Sequence, residues 1–223
     1  MKENMIFNDD QYQLREFQVD RMKEVIVNNR ISKENGVVFY GDSIVQGYDI
    51  NKYIPEINDK YNCGIGGFTS ETLLWICDEA VIKYKPSLVY ISVGTNDLGN
   101  TNMRRPREIA LNIEKLIRLV RGNLKEVKIM IASTTPCDEN KQGPKAGKCL
   151  RTNFNISIVN KEIQNICNRY ENVEFIDIYS TLLDKISGNI KEIYTTDGLH
   201  LTEKGYEKIT DIIKPRILQL YND

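Results

Sequence analysis

Short apolar runs alternate along this chain with segments in which apolar residues recur at helical spacing. The run at residues 37–40 (VVFY) stops at Gly41, and Ser43 follows it. A β-branched and aromatic run of this length, bounded by glycines, predicts a buried strand that ends in a sharp turn. Similar runs predict further strands at residues 88–93, 127–132 and 173–177. Residues 60–63 (KYNC), which are not an apolar run, are a candidate for a second short strand.

Amphipathic segments between these runs predict the helices. They cover residues 9–28, 71–83, 106–122 and 152–169, and a closing helix carries apolar residues from Ile209 to Ile217. Strands that alternate with helices predict a parallel sheet covered on both faces, which is a three-layer α/β/α fold. The sequence contains no internal repeat, low-complexity tract or linker. We therefore expect one domain over residues 1–223, with residues 1–35 as a helical extension packed on it.

Composition narrows the class of protein. The chain has 223 residues, 30 Lys plus Arg against 31 Asp plus Glu, and a formal net charge of −1. This balance gives no general attraction to nucleic acid or to an anionic membrane. No apolar run approaches the roughly 20 residues that span a bilayer, and the first residues do not resemble a signal peptide. We expect a cytoplasmic protein, and the sequence does not define its oligomeric state.

The cysteines and the other possible ligands give no sign of a metal site. Five cysteines are scattered along the chain without a paired C-x-x-C spacing. Their odd number suits a reducing compartment. Cys137 and Cys149 flank one polar loop and could form a disulfide, but free thiols are favoured. Nothing in the sequence demands a metal or an organic cofactor.

Four polar segments are expected to meet at one edge of the sheet. Ser43 follows the first strand, Gly67 lies in a glycine-rich segment after the second, and Asn96 follows the third. Asp197 and His200 lie close together near the end of the chain. Right-handed crossovers bring the loops that follow parallel strands to the same rim, where open α/β sheets bind their ligands.

These residues suit nucleophilic catalysis. A serine hydroxyl needs a base within hydrogen-bond reach, and His200 is the only histidine of the chain. Asp197 can orient the imidazole and stabilise it when it is protonated. The N–H groups of Ser43 and Gly67, with the amide of Asn96, can stabilise a tetrahedral oxyanion. A histidine base predicts activity that rises with pH as the imidazole loses its proton.

Several of these residues also have simpler interpretations. Ser43 can serve as the N-cap of the next helix, and Asn96 can brace its own turn. Taken alone, His200 can be a surface or core histidine. Asp97 is expected to be structural, as the cap of a helix, and is left out of the catalytic set.

Neighbouring side chains are expected to support the fold. A solvated helix start explains the basic residues after Asn96 better than an anionic substrate group does; these are Arg104, Arg105 and Arg107. On the helix after Gly67, Leu74 and Trp75 are expected to pack in the core. The Pro-, Gly- and charge-rich segment 133–151 is expected to be a long loop at the same sheet edge, and a candidate lid.

The order of the polar segments resembles that of a known family, the SGNH hydrolases, also called GDSL-type esterases and lipases. Four blocks match in order: residues 41–44 (GDSI), 62–67 (NCGIGG), 94–97 (GTND) and 197–200 (DGLH). The resemblance implies a flavodoxin-like fold with five parallel strands in the order 2-1-3-4-5. It also implies ester hydrolysis through an acyl-enzyme.

The resemblance further implies a role for each matched residue. Ser43 is the nucleophile, His200 the base and then the acid, and Asp197 its partner. The oxyanion hole consists of Ser43, Gly67 and Asn96. Phe68 stands where a polar residue is more usual, and we expect it to alter the shape of the pocket.

Two other classes do not fit the motifs. The sequence has no G-x-S-x-G nucleophile elbow, which excludes an ordinary α/β-hydrolase. Residues 41–47 lack the Gly-Lys-Ser/Thr ending of a phosphate-binding loop.

The composition of the loops favours a short acyl group. Residues 99–102 and the loop 136–151 are strongly polar, whereas a long acyl chain requires a continuous apolar groove. We therefore expect a small-molecule ester substrate, first an acetyl ester of a sugar or a similar polar alcohol. One alternative is a lysophospholipase or acyl-thioesterase with a groove lined by Phe68, Leu73, Leu74 and Met103. An alternative of another class is a non-catalytic module that binds a glycan or a protein.

Overall fold

A five-stranded parallel sheet forms the centre of the protein. A computed structural model describes residues 14–99 and 103–223. The strands are β1 Val37–Gly41, β2 Lys60–Gly64, β3 Leu88–Ser92, β4 Lys128–Ala132 and β5 Val173–Ile176. Neighbouring strands are all parallel, and their order is β2-β1-β3-β4-β5. The predicted α/β fold and strand order are confirmed.

Helices cover both faces of this sheet. They are α1 Glu16–Asn29, α2 Ser43–Gln46, α3 Ile50–Tyr53, α4 Ser70–Trp75, α5 Cys77–Ala80, α6 Thr95–Gly99, α7 Pro106–Asn123, α8 Glu139–Gln142, α9 Asn153–Cys167, α10 Tyr179–Leu182 and α11 Glu203–Asn222. Short 3₁₀ turns lie at Ile82–Tyr84, Pro144–Ala146 and Glu192–Tyr194. Within the described ranges, no helix combines the length and apolar character that a membrane crossing requires.

The alternation of side chains along β1 divides the core into two layers. Val38 and Tyr40 point into a cluster shared with α1, α4, α5, α7 and α9, whereas Val37 and Phe39 pack with α2, α3, α10 and α11. All five β1 residues are buried, because this strand lies inside the sheet with helices on both faces. Burial of each large apolar side chain contributes about 1.5–3 kcal/mol.

The helix predicted over residues 71–83 is broken into pieces. The backbone leaves helical geometry at Ile76 (φ −124°, ψ 17°) and again at Val81 (φ −133°, ψ −59°). Both residues are β-branched, which lowers their helix propensity, and both are buried in the core. The predicted helix is therefore interrupted at the two positions where a β-branched side chain packs into the core, although the apolar spacing of the segment is helical.

Other boundaries also differ from the predictions. The opening helix begins at Glu16, and residues 9–13 of its predicted span lie outside the described part of the chain. Trp75 was expected in the core, but it ends α4 and is 47% exposed, whereas Leu74 packs against the core. The segment 133–151 is not a continuous loop, because α8 and a 3₁₀ turn form within it.

Candidate active site

Ser43 lies in the tight turn between β1 and α2. Asp42 is the N-cap of α2, and its carboxylate accepts a hydrogen bond of 2.9 Å from the N–H of Ile44. The capping role that Ser43 could have filled thus belongs to Asp42. Gly41 is required here because a Cβ would lie 2.1 Å from the carbonyl oxygen of Ser92. The turn leaves Ser43 as the first residue of α2, where N–H groups lack intrahelical acceptors.

His200 connects Ser43 to Asp197. The Nε2 atom of His200 lies 3.0 Å from Ser43 Oγ, and its Nδ1 atom lies 2.6 Å from Asp197 Oδ2. When Nδ1 carries the proton and donates a hydrogen bond to the carboxylate, Nε2 is free to accept a hydrogen bond from the serine hydroxyl. The structure therefore brings these three predicted residues together in one hydrogen-bonded chain.

Asp197 is held as a carboxylate by its own loop. Its Oδ1 atom accepts hydrogen bonds from the N–H groups of Leu199 (2.9 Å) and His200 (2.8 Å). Burial alone would raise the pKa of Asp197, but the hydrogen bonds from the His200 ring and from these two N–H groups lower it to about 2. The carboxylate is thus ionised across the physiological range and favours a positive charge on the imidazole.

The glycine-rich loop after β2 lies beside Ser43. The N–H of Gly66 donates to Gln46 Oε1 (2.7 Å), and the Gly66 carbonyl accepts from Gln18 Nε2 of α1 (2.8 Å). A Cβ placed on Gly66 would lie 3.8 Å from Ser43 Cβ. These contacts fix the position of Gly67, the next residue, near the serine.

Asn96 reaches the same loop from the β3 side. It lies in the first turn of α6, is 6% exposed, and donates from Nδ2 to the carbonyl of Phe68 (3.0 Å). Asn96 and the loop of Gly67 are therefore directly joined. Phe68 itself is fully buried in the core, so the expectation that it shapes the pocket is wrong for its side chain. The segment needs an apolar anchor beneath the glycines, and Phe68 supplies it.

Asp97 has a different set of contacts. Its carboxylate accepts from the N–H of Ser70 (3.0 Å) and from the Ser70 hydroxyl, at the first turn of α4. Burial raises the pKa of Asp97 to about 6, although the hydrogen bonds from Ser70 oppose this. Asp97 thus joins the loop after β3 to a helix start, which fits the structural role expected for it.

The arginines after Asn96 contact carboxylates of the protein itself. Arg104 Nη2 lies 2.6 Å from Glu71 Oε2, and Arg107 pairs with Glu162. Arg105 is the N-cap residue of α7. These contacts favour the helix-start interpretation over a site for an anionic substrate group.

Sequence reasoning missed Arg151, the last residue of the polar segment 133–151. Its guanidinium is buried, with the residue only 2% exposed, and Nε donates to the carbonyl of Thr95 (2.9 Å). Nη1 donates to Gln142 Oε1 (3.2 Å), and Gln142 Nε2 donates to the carbonyl of Asp197 (3.0 Å). Arg151 therefore connects the segment of Asn96 with that of His200. Nothing in the sequence distinguishes it from the lysines around it.

Contacts of this kind make the segment 133–151 a support for the site. The N–H of Asp138 donates to the carbonyl of Gly198 (2.8 Å), next to Asp197. The guanidinium of Arg151 lies directly against Gly99, where a Cβ would come within 2.2 Å of Nη2. Such fixed contacts favour a rigid wall over a lid.

The thiols and carboxylates of the described residues form no metal cluster. Among residues 14–99 and 103–223, no group of three or more His, Cys, Asp or Glu side chains could hold an ion. Cys137 is buried and Cys149 is exposed, and both are free thiols. Burial raises the pKa of Cys137 to about 12, so this thiol is not a reactive nucleophile at neutral pH.

The fold and the comparison with known families define the class of this protein. Residues 39–208 match the GDSL-like Lipase/Acylhydrolase family, and the chain belongs to that family. It is therefore a carboxylic ester hydrolase by class.

The chain is also similar to individual proteins of known sequence or structure. It is 30% identical over 195 residues to platelet-activating factor acetylhydrolase IB subunit alpha2 of Rattus norvegicus, covering 86% of this chain and 80% of that protein. It is 26% identical over 182 residues to an acetylxylan esterase of Xylanibacter ruminicola, covering 77% of this chain and 36% of that protein. A solved structure from Streptococcus pneumonia, described as a candidate platelet activating factor, superposes with a TM-score of 0.81 at 29% identity, covering 90% of this chain and 92% of that one.

Proposed function

We propose that this protein is a serine esterase that hydrolyses short-chain esters, first acetyl esters, of a carbohydrate or a similar polar alcohol. The observation that carries the proposal is the chain of hydrogen bonds from Ser43 through His200 to Asp197. A hydroxyl and a carboxylate held on the two nitrogens of one imidazole are the parts that acyl transfer to serine requires.

In the proposed mechanism, Ser43 and His200 carry the covalent steps. The Ser43 oxygen attacks the ester carbonyl while its proton passes to His200 Nε2. The tetrahedral intermediate then collapses to an acyl-serine, and the imidazolium gives its proton to the leaving alcohol. Water, deprotonated by the same nitrogen, then attacks the acyl-serine. The second tetrahedral intermediate collapses, the imidazolium returns its proton to the Ser43 oxygen as that oxygen leaves, and the acid is released. Asp197 stabilises the imidazolium during both halves of the reaction.

The negative oxygen of each tetrahedral intermediate needs donors that are already in place. We assign this role to the N–H groups of Ser43 and Gly67 and to the amide of Asn96. Support comes from the contacts that bring the three segments together: Gly66 borders Ser43, and Asn96 is bonded to Phe68. A preorganised site of this kind adds no reorganisation cost during the reaction.

The structure argues against the groove that a long acyl chain would require. Two of its four expected lining residues, Phe68 and Leu73, are fully buried in the core. Leu74 packs against the same core, which leaves Met103, 44% exposed, as the one with a large accessible apolar surface. The names of two relatives, an acetylhydrolase and an acetylxylan esterase, also point to acetyl groups.

The acyl preference is tested with p-nitrophenyl acetate, butyrate and octanoate. Wild type, Ser43→Ala and the control Ser157→Ala, an exposed serine on α9, are assayed on protein shown to be folded. The proposal predicts that acetate is the best substrate and that only Ser43→Ala abolishes turnover. A preference for octanoate would favour the lysophospholipase or thioesterase alternative. Equal inertness of wild type and Ser43→Ala on all three esters would contradict the hydrolase mechanism.

A further inference from the structure

Phe17 of α1 borders the same space as the proposed nucleophile. A Cβ placed on Gly66 would lie 3.5 Å from Phe17 Cε2 and 3.8 Å from Ser43 Cβ. The aromatic ring and the serine thus line one region above the glycine loop. Gln18, the next residue of α1, is 1% exposed and donates to the Gly66 carbonyl at 2.8 Å. This buried hydrogen bond fixes the start of α1, and with it Phe17, at the edge of the site.

The two sides of Ser43 differ in accessibility. Because β1 lies between β2 and β3, the loop after β3 lies on one side of the serine and the loop after β2 on the other. On the β3 side Thr95, Asn96 and Asp97 are at most 6% exposed. On the β2 side Phe17 is 50% exposed and Gln46 is exposed. Among these described neighbours of Ser43, the β2 side with Phe17 therefore offers the more accessible surface for the larger part of an ester.

We propose that Phe17 is a specificity-determining residue that contacts the alcohol part of the ester, and that this part is a sugar ring. The inference rests on the proposed function, in which the acyl group is small and the alcohol is the larger part. An aromatic ring offers a flat apolar surface to the apolar face of a sugar. A Cβ placed on Gly66 would also lie 3.1 Å from Gln46 Oε1, so a polar group lies beside the Phe17 ring. A sugar has hydroxyls at its edge and requires such a polar neighbour.

The test separates the alcohol from the acyl group. Three esters are compared: an acetylated methyl xyloside, ethyl acetate and ethyl butyrate. We expect Phe17→Ala to lower the ratio of kcat/KM for the sugar acetate to that for ethyl acetate about three- to tenfold, the range of one aromatic contact. Phe17→Trp is expected to retain the ratio. Phe154→Ala is the matched control, since Phe154 is 72% exposed on α9.

Two outcomes would overturn the inference while leaving the esterase intact. In the first, Phe17→Ala changes the ratio of ethyl butyrate to ethyl acetate instead, so the ring contacts the acyl group. In the second, Phe17→Ala still turns over all three esters in a Ser43-dependent way, and the ratios of their kcat/KM values are the same as in wild type. A separate measurement does not need turnover: calorimetric binding of the sugar acetate to Ser43→Ala protein, with and without Phe17→Ala. Weaker binding in the double variant supports the inference even if wild type hydrolyses nothing, and equal binding contradicts it.

Discussion

Ser43 Oγ and His200 Nε2 lie 3.0 Å apart, although the two residues are 157 positions apart in the sequence. The turn after β1 holds one of them, and the loop before α11 holds the other. Asp197 anchors the far side of the imidazole at 2.6 Å. Folding of the parallel sheet is therefore what assembles the proposed catalytic group from the two ends of the chain.

The pH dependence of kcat/KM tests the role of His200 as base. The rate is expected to rise with pH along one limb of slope one between about pH 5 and 9, because the base must be neutral. Asp197 adds no limb in this range, since its pKa is about 2. Burial raises the pKa of Asp42 to about 7, so Asp42→Asn is the control: the limb that remains in this variant belongs to the histidine. A rate indifferent to pH over this range would argue against the mechanism.

Asn96→Ala tests the oxyanion hole. Loss of one preorganised donor is expected to lower kcat by about 10²–10³. The substitution also removes the hydrogen bond to Phe68, so its effect on stability needs a reference. Asn112→Ala provides one, because Asn112 is a buried amide that donates to Ser70 Oγ at 3.1 Å. We expect similar falls in the free energy of unfolding for both variants, but a loss of turnover only for Asn96→Ala. A kcat within a few-fold of wild type would remove Asn96 from the site.

The difference in stability between wild type and Asp42→Asn is expected to depend on pH. Its pKa in the folded protein is about 7 against an ordinary value of 3.8, chiefly because it is buried. Between these two values the folded state retains a proton that the unfolded state has lost, so this group makes stability fall as pH rises from about 4 to 7. Asp42→Asn keeps an N-cap residue and avoids the buried charge. As pH rises from 4 to 8, the free energy of unfolding of the variant is expected to increase by about 2–4 kcal/mol relative to that of wild type.

Denaturant unfolding at a series of pH values measures this gain. Asp49→Asn is the matched control, because Asp49 caps α3 in the same way but is exposed. Its difference from wild type is the reference for the loss of an exposed N-cap carboxylate. A flat difference for Asp42→Asn as well would mean that the Asp42 carboxylate is not held in a buried environment.

Much of this site was predictable from sequence, for a physical reason. The strands are short apolar runs that end at glycine, and parallel strands place the residues that follow them at one edge. Ser43, Gly67, Asn96 and the segment of His200 were therefore located by their position after a strand or by their motif. The residues that hold these segments in place could not be predicted, because a buried hydrogen bond such as that from Gln18 to the Gly66 carbonyl depends on how α1 packs.

The errors have the same origin. Trp75 is predicted to lie in the core, but the helix is interrupted at Ile76 and the Trp75 side chain is exposed. Phe68 is predicted to shape the pocket, but its side chain packs in the core beneath the glycine loop. Arg151 carried no sequence signal, since the segment 133–151 also contains Lys141, Lys145 and Lys148. Its importance comes from burial, which only the assembled fold defines.

Arg151 is expected to support turnover through the positions of other groups. Arg151→Met removes the hydrogen bonds to Thr95 and Gln142, and with them the link to the Asp197 segment. We expect kcat to fall about 10–100-fold with little change in KM, because small misplacements of reacting groups have effects of this size. The free energy of unfolding is expected to fall by about 1–3 kcal/mol.

Two further variants separate position from stability. Arg151→Lys keeps the charge but lacks the planar fork that reaches both acceptors, so it is expected to restore stability better than kcat. Arg118→Met, at an exposed position of α7, is the control and is expected to match wild type. Wild-type kcat in a destabilised Arg151→Met protein would assign Arg151 to the fold alone.

The most direct test of the central claim is covalent labelling of Ser43 with a fluorophosphonate, mapped by peptide mass spectrometry. The account predicts one adduct per chain, on the peptide that contains Ser43, which disappears in Ser43→Ala and forms at least about 10²-fold more slowly in His200→Ala. Folded wild-type protein that stays unlabelled, or that carries its adduct on another residue, would contradict the account.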